Sequence, residues 1–251
     1  MWKSATLTQI EDLSPSVKSF TLKSEALEGT SFVPGQFVTL ELPIHEKRHK
    51  RWRSYSISSA PNLEGVFELC IVRVENGAGT AHLFDKAQVG DQIPFKGPDG
   101  VFTIPKDLAT KDLCMICTGT GIAPFRSMLQ YIYSKQVPHQ KVHLVFGSRT
   151  LADVLYIREF EELAKREPSF SYSVALSREA VAGTTNGYVH EIYEKEYSAN
   201  DNSQTLFYLC GWQKMIDEAL LRLKNINVSK DSIQLKILGI PESNIRYEAF
   251  D

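Results

Sequence analysis

The densest chemical spacing in the chain is at 117–126, CTGTGIAPFR. An apolar run ends at Cys117, the backbone turns on Gly119 and Gly121, and Pro124 falls in the first turn of a following helical pattern, where a missing N–H costs nothing. Such a turn brings backbone close to a phosphate while the N–H groups of the helix end point at it. Pro124 occupies the third glycine position of the dinucleotide fingerprint, so that fingerprint is not matched. Alone, Thr118, Gly119, Thr120, Gly121 and Pro124 read equally as a phosphate cradle or as a plain tight turn.

A second cluster is Arg53-Ser54-Tyr55-Ser56. Arginine pairs with a pyrophosphate through its fork of donors, tyrosine offers a flat face and a hydroxyl, and serine hydrogen-bonds a ring nitrogen; together these suit a flavin. The tetrapeptide also reads as an exposed arginine on an ordinary strand. Ser177-Arg178, after another apolar run, and Arg149 in FGSRT supply hydroxyl and positive charge. A phosphate on an adenosine ribose demands those groups, whereas an unphosphorylated ribose more often meets an acid. Two surface residues at a strand end are the alternative.

The elements that must carry these residues change character along the chain. Extended segments are expected at 16–24, 36–43, 54–61 and 66–74, with alternation in VKSFTL and FELCIV and turns at Pro34-Gly35, Pro61-Asn62, Gly90-Asp91 and Pro98-Asp99-Gly100. They predict an antiparallel β-barrel, interrupted by a helix near 80–86. From about Asp112 the rhythm is strand, turn, helix: LCMICTG, VHLVFGS, YSVALS and LFYLCG each precede a helical stretch. Apolar runs so separated predict a doubly wound parallel α/β sheet. The boundary is placed at 1–106 and 107–251, with the linker at 105–111.

Composition narrows the function classes. The chain has 251 residues, 43% hydrophobic and 23% charged, a globular composition, and a formal net charge of -2 gives no basis for nucleic-acid binding. No apolar run approaches the roughly 18 to 20 residues of a membrane span, and MWKSATLTQI lacks a signal peptide's apolar stretch, so a cytoplasmic protein is expected. Cys114 and Cys117 form a C-x-x-C inside an apolar run with no second pair, and His45/His49 and His139/His143 lie in polar segments, so no metal site is expected. One local run, HEKRHKRWR at 45–53, is strongly basic. It reads as a solvated loop or, adjoining Arg53, as a docking face.

The order RSYS, GPDGVF, GTGIAPFRSML, LVFGSR, YLCGWQKMID and finally YEAFD resembles the ferredoxin-NADP reductase superfamily across essentially the whole chain. The resemblance implies an FAD-binding barrel joined to an NAD(P)-binding domain, with hydride passing between the two cofactors. Residue by residue, Arg53, Tyr55 and Ser56 match its flavin motif. Cys70, Ile71, Val72 and Arg73 match the strand beside the flavin, and Gly79, Thr80 and Ala81 match a helix start against the FAD pyrophosphate, with threonine where the family has serine. Thr118–Pro124 would hold the nucleotide pyrophosphate, and Cys210 and Gly211 would adjoin the nicotinamide, with Met215 nearby. Ser177-Arg178 resembles the NADP-specific members.

The C-terminal Glu248 is implied as a proton relay and Phe250 as the ring covering the flavin, although the chain ends in Asp251 where plant-type members end in tyrosine. The expected function is hydride transfer between NADPH and FAD, with single electrons passed to ferredoxin or flavodoxin by a monomer. That partner is expected to be external, because the chain contains no C-x4-C-x2-C iron-sulfur signature. The alternatives are an NADH-dependent flavin or cytochrome reductase, or an electron-relay subunit of a larger complex.

Overall fold

The computed structural model describes residues 1–199 and 204–226, and the backbone of 245–250. Two compact units emerge: Met1–Ile104 with Ala123–Val137, and Pro105–Ile122 with Pro138–Asp251.

In the first unit, β1 (Lys3–Ser14), β2 (Val17–Glu28), β3 (Phe37–Glu41), β4 (Trp52–Ser56), β5 (Glu64–Val72) and β6 (Gln92–Asp99) form one antiparallel sheet. Its order is β4-β3-β6-β1-β2-β5. A bridge from Ile57, just past β4, to Leu69 of β5 joins the two edges and closes the sheet into a barrel. Alternate residues point inward, so Leu7, Phe20, Leu22, Val38, Leu40, Phe67, Leu69 and Phe95 form its core.

The strands expected from the sequence are present, and β1 and β6 join them. The segment expected as extended over 54–61 leaves the ladder at Ser56. Beyond it the backbone serves helix α2 (Ile122–Ser134): Arg126 donates to the Ser58 carbonyl at 3.1 Å, and the Ala60 N–H donates to Gln130 Oε1 at 2.9 Å. Arg126 also donates to Glu68 Oε2 at 2.6 Å. Helix α1 (Ala78–Asp85) is pinned at its end by a bidentate Arg73–Asp85 pair at 2.7 and 2.8 Å.

In the second unit, β7 (Asp112–Thr118), β8 (Val142–Ser148), β9 (Phe170–Leu176), β10 (Thr185–Asn186), β11 (Thr205–Trp212) and β12 (Ile245–Phe250) are all parallel, in the order β10-β9-β8-β7-β11-β12. Helices α4 (Val189–Tyr197) and α5 (Gln213–Asn225) cover the face carrying Cys114, Ile116, Val145, Phe207 and Leu209. Helix α3 (Ile157–Arg166) sets Phe160 against Phe170 and Tyr172 on the other face. Helices on both faces make the sheet doubly wound, as its apolar runs predict. The strand order reverses between β7 and β11, and ligands of such sheets bind outside the carboxyl ends at that point.

Candidate functional site

In the barrel, β4 presents Arg53 and Tyr55 on one face and turns Ser54 to the other, where its hydroxyl is 2.9 Å from Thr39 Oγ1. Arg53 lies across the start of α1: a β-carbon on Gly79 would stand 3.0 Å from its Cγ and 3.3 Å from its Nε. The guanidinium donates to the carbonyls of Lys50 at 3.1 Å and Trp52 at 2.7 Å. A fixed cation beside the positive end of a helix is unfavourable until an anion sits between them, so the pair fits a pyrophosphate.

The Thr80 side chain is turned to the backbone of its own turn. Its hydroxyl accepts the Val74 N–H at 3.1 Å and donates to the Gly77 carbonyl at 3.1 Å, bracing the turn. The Ala81 N–H is committed to the Gly77 carbonyl at 2.8 Å. The N–H groups of Gly79 and Thr80, in the first turn, have no acceptor within the helix and are the ones it can offer a ligand. Tyr55 packs on the barrel core, and burial pushes its phenol up to about 12, so it stays a hydroxyl donor at neutral pH. Ser56 is buried at the end of β4, and Cys70 and Ile71 are buried in β5. Val72 closes β5, and Arg73 follows it with its guanidinium engaged by Asp85.

In the sheet unit, a single turn over Gly119–Gly121 follows β7. A β-carbon on Gly121 would collide with the Cys210 carbonyl oxygen and stand 2.6 Å from its carbon; one on Gly211, where φ is +144, would collide with Thr118 Oγ1. The two glycines therefore let the ends of β7 and β11 meet, and the Trp212 N–H donates to Thr118 Oγ1 at 3.3 Å across that junction. Thr118, Gly119, Thr120, Gly121, Cys210 and Gly211 come together there. Met215, in the first turn of α5, places its Cε 3.2 Å from where a Gly211 β-carbon would be. Pro124 is buried in α2. The Cys114 and Cys117 thiols are fully buried in β7, and burial pushes both up, Cys114 to about 12.

Ser177 and Arg178 follow β9 and Arg149 follows β8, with their backbones joined: Ser177 N–H donates to the Ser148 carbonyl at 3.0 Å and Arg178 N–H to the Arg149 carbonyl at 2.9 Å. The neighbouring acid, Glu179, accepts the Leu151 N–H at 2.7 Å. On β12 the backbone of Glu248 pairs with Cys210 and that of Phe250 with Trp212; the side chains of both, and Asp251, lie outside the described residues. Trp212 stands in the YLCGWQKMID motif, but the sequence assigns it no role. It is 66% exposed, an unusual state for so large an indole, and the Arg149 guanidinium stands 5.7 Å from its ring centre.

Comparison with known proteins bears on both sites. Residues 4–104 match the oxidoreductase FAD-binding domain family and residues 115–220 the oxidoreductase NAD-binding domain family. The chain is 30% identical to ferredoxin-NADP reductase B of Sorangium cellulosum over 98% of this chain and 97% of that protein. It is 29% identical to the toluate 1,2-dioxygenase electron transfer component of Pseudomonas putida, over 98% of this chain and 67% of that one. Among solved structures, a ferredoxin NADP+ reductase from Neisseria gonorrhoeae with bound FAD and NADP superposes with a TM-score of 0.78 at 24% identity, covering 99% of this chain and 98% of that one. A cytochrome P450 reductase from Amycolatopsis gives 0.83 at 24% identity over 100% of this chain and 70% of that one. At such identities the structural likeness speaks for the fold, while the tandem domain matches and the full-length relative carry the family. The chain belongs to the ferredoxin-NADP reductase superfamily and is a flavin oxidoreductase that binds FAD and a pyridine nucleotide.

Proposed function

We propose that this flavoenzyme takes a hydride from NADPH and delivers single electrons to a ferredoxin or flavodoxin. The observation that carries the reading is the junction of β7 and β11, where the Thr118–Gly121 turn and Cys210-Gly211 share one edge of the sheet at its switch point. Arg53 and the first turn of α1 hold the FAD pyrophosphate, and Tyr55 and Ser56 orient its ring system. Bound FAD supplies the conversion between two-electron and one-electron chemistry. Thr118–Pro124 hold the nucleotide pyrophosphate, and the small Cys210 side chain leaves room for the nicotinamide, so catalysis is chiefly positioning.

The choice of NADPH rests on Ser177 and Arg178. The neighbouring acid, Glu179, accepts the Leu151 N–H, which ties its carboxylate to the turn after β8. The acidic protein partner is favoured by the cations adjoining β4, and the relative from Sorangium cellulosum is named for that reaction. The test is anaerobic titration of the purified protein with NADPH and with NADH, followed by mixing with oxidised ferredoxin. A yellow, FAD-loaded protein bleached preferentially by NADPH and reoxidised by ferredoxin is expected. A folded protein that stays colourless with added FAD would sink the reading.

A further inference from the structure

We propose that Trp212 belongs to the nucleotide site. Its indole holds the Arg149 guanidinium over the end of β7, so that Arg149 serves the pyrophosphate common to NADH and NADPH while Arg178 reads the 2′-phosphate. The assignment rests on the reading of the sheet unit as a pyridine-nucleotide site, and it departs from the sequence expectation, which placed Arg149 with Ser177 and Arg178.

The argument begins with where Trp212 is. It ends β11, and the seven residues before it in that strand are buried, yet its own ring is 66% exposed. Its backbone is held by Gly211, with φ +144, before it and by the bond from its own N–H to Thr118 Oγ1. An indole so anchored projects from a rigid point at the phosphate turn.

The second step is where Arg149 goes. Its carbonyl accepts the Arg178 N–H, so the two arginines leave the sheet from adjacent backbone positions. Arg178 lies two residues beyond the end of β9. The Arg149 side chain heads the other way, to within 5.7 Å of the Trp212 ring, inside the range of cation–π attraction. Because β7 lies between β8 and β11, a side chain that leaves the end of β8 and reaches the end of β11 crosses the end of β7. That end is Thr118, followed by the Gly119–Gly121 turn. That contact restrains the guanidinium near the turn and leaves its fork of donors for a diphosphate.

The test is calorimetric measurement of NADP+ and NAD+ dissociation constants on FAD-loaded protein carrying Arg149→Ala, Trp212→Ala, Trp212→Phe or Arg178→Ala. Arg149→Ala is expected to weaken both nucleotides by the same factor, on the order of tenfold or more. Trp212→Ala should reproduce a few-fold of that loss for both, Trp212→Phe should restore it, and the Arg149→Ala/Trp212→Ala double variant should be no worse than Arg149→Ala alone. Arg178→Ala should weaken NADP+ only. Loss of NADP+ affinity with NAD+ spared in Arg149→Ala would overturn the assignment, as would Trp212→Ala binding both like wild type. Wild-type protein that binds neither nucleotide would overturn the pyridine-nucleotide reading itself, and this assignment with it.

Discussion

At Gly121 a single hydrogen decides whether the ends of β7 and β11 can meet, because a methyl there would enter the Cys210 carbonyl. Both neighbours are backbone, which cannot swing away as a side chain would, so Gly121→Ala should cost about 1–3 kcal/mol of stability. For a chain of this size that lowers the melting temperature by several degrees, about 2–4 °C per kcal/mol. NADP+ affinity should fall at least about tenfold while the FAD content is unchanged, since Gly121 and the Arg53–Gly79 contact belong to different units. Calorimetry and the flavin spectrum of the variant check this, and unaltered NADP+ binding would remove the turn from the nucleotide site. The glycine spacing at 119 and 121 is legible in the sequence because a turn between strand and helix imposes it. The Arg53–Gly79 approach is written in no local spacing, because it is made by folding between distant segments, and only the family resemblance puts both residues at the FAD pyrophosphate. Trp212 escapes for a different reason: an exposed indole has no periodicity, and only its cation–π contact with Arg149 distinguishes it from any surface tryptophan.

Strands β7, β8, β9 and β11 are legible because burial on both faces writes them as continuous apolar runs, whereas β1 is hidden by its own geometry. Only Ala5 and Leu7 of its twelve residues are buried, and register shifts at Leu7/Gln9 and Asp12/Ser14 break the two-residue period. β6 is masked by Pro94, Gly97 and Pro98, residues that read as turn rather than strand. One further link between elements makes a stability prediction. His143 on β8 sits 3.2 Å from the Tyr197 hydroxyl of α4 and 3.0 Å from Ser173 Oγ of β9. Burial holds its pKa below the ordinary value of 6.5, and burial acts in the same direction on His190 and His82. The unfolded chain therefore binds protons near pH 6.5 that the folded chain resists, so stability present above 6.5 is lost as the pH falls from there through the folded values. The melting temperature should drop between about pH 7.5 and pH 5.5, and His143→Gln should flatten the profile. A wild-type profile already flat across that window would show that burial does not hold these histidines below their unfolded values.

Over the whole molecule acids and bases nearly cancel, to a formal charge of -2, so any electrostatic attraction for a partner has to come from local asymmetry. The run from Lys47 to Arg53 supplies it, but its cations are not equivalent. Arg48 is bound to Glu41 at 2.9 and 3.0 Å and lies 5.4 Å from the centre of the Trp2 ring, and Arg51 donates to the His45 carbonyl at 2.6 Å. Arg53 is turned to the carbonyls of Lys50 and Trp52 beside α1. Lys47 and Lys50 are exposed and, among the described residues, have no ion-pair partner. They are the charges with the most to gain from an acidic surface, a distinction the sequence could not draw because Glu41 lies outside the basic run. Replacing both in Lys47→Glu/Lys50→Glu should raise the apparent KM for an acidic ferredoxin several-fold at low ionic strength, with kcat little changed, because rim charges act mainly on encounter. The difference should shrink as salt brings the screening length from about 10 Å at 0.1 M towards about 3 Å at 1 M. Reduction of the flavin by NADPH, which needs no protein partner, should proceed in the double variant as in wild type. Steady-state kinetics over a salt series separate the possibilities: a KM that ignores both the substitutions and the salt would place the docking face elsewhere, and a slowed flavin reduction would show that the lysines support the FAD site rather than the partner.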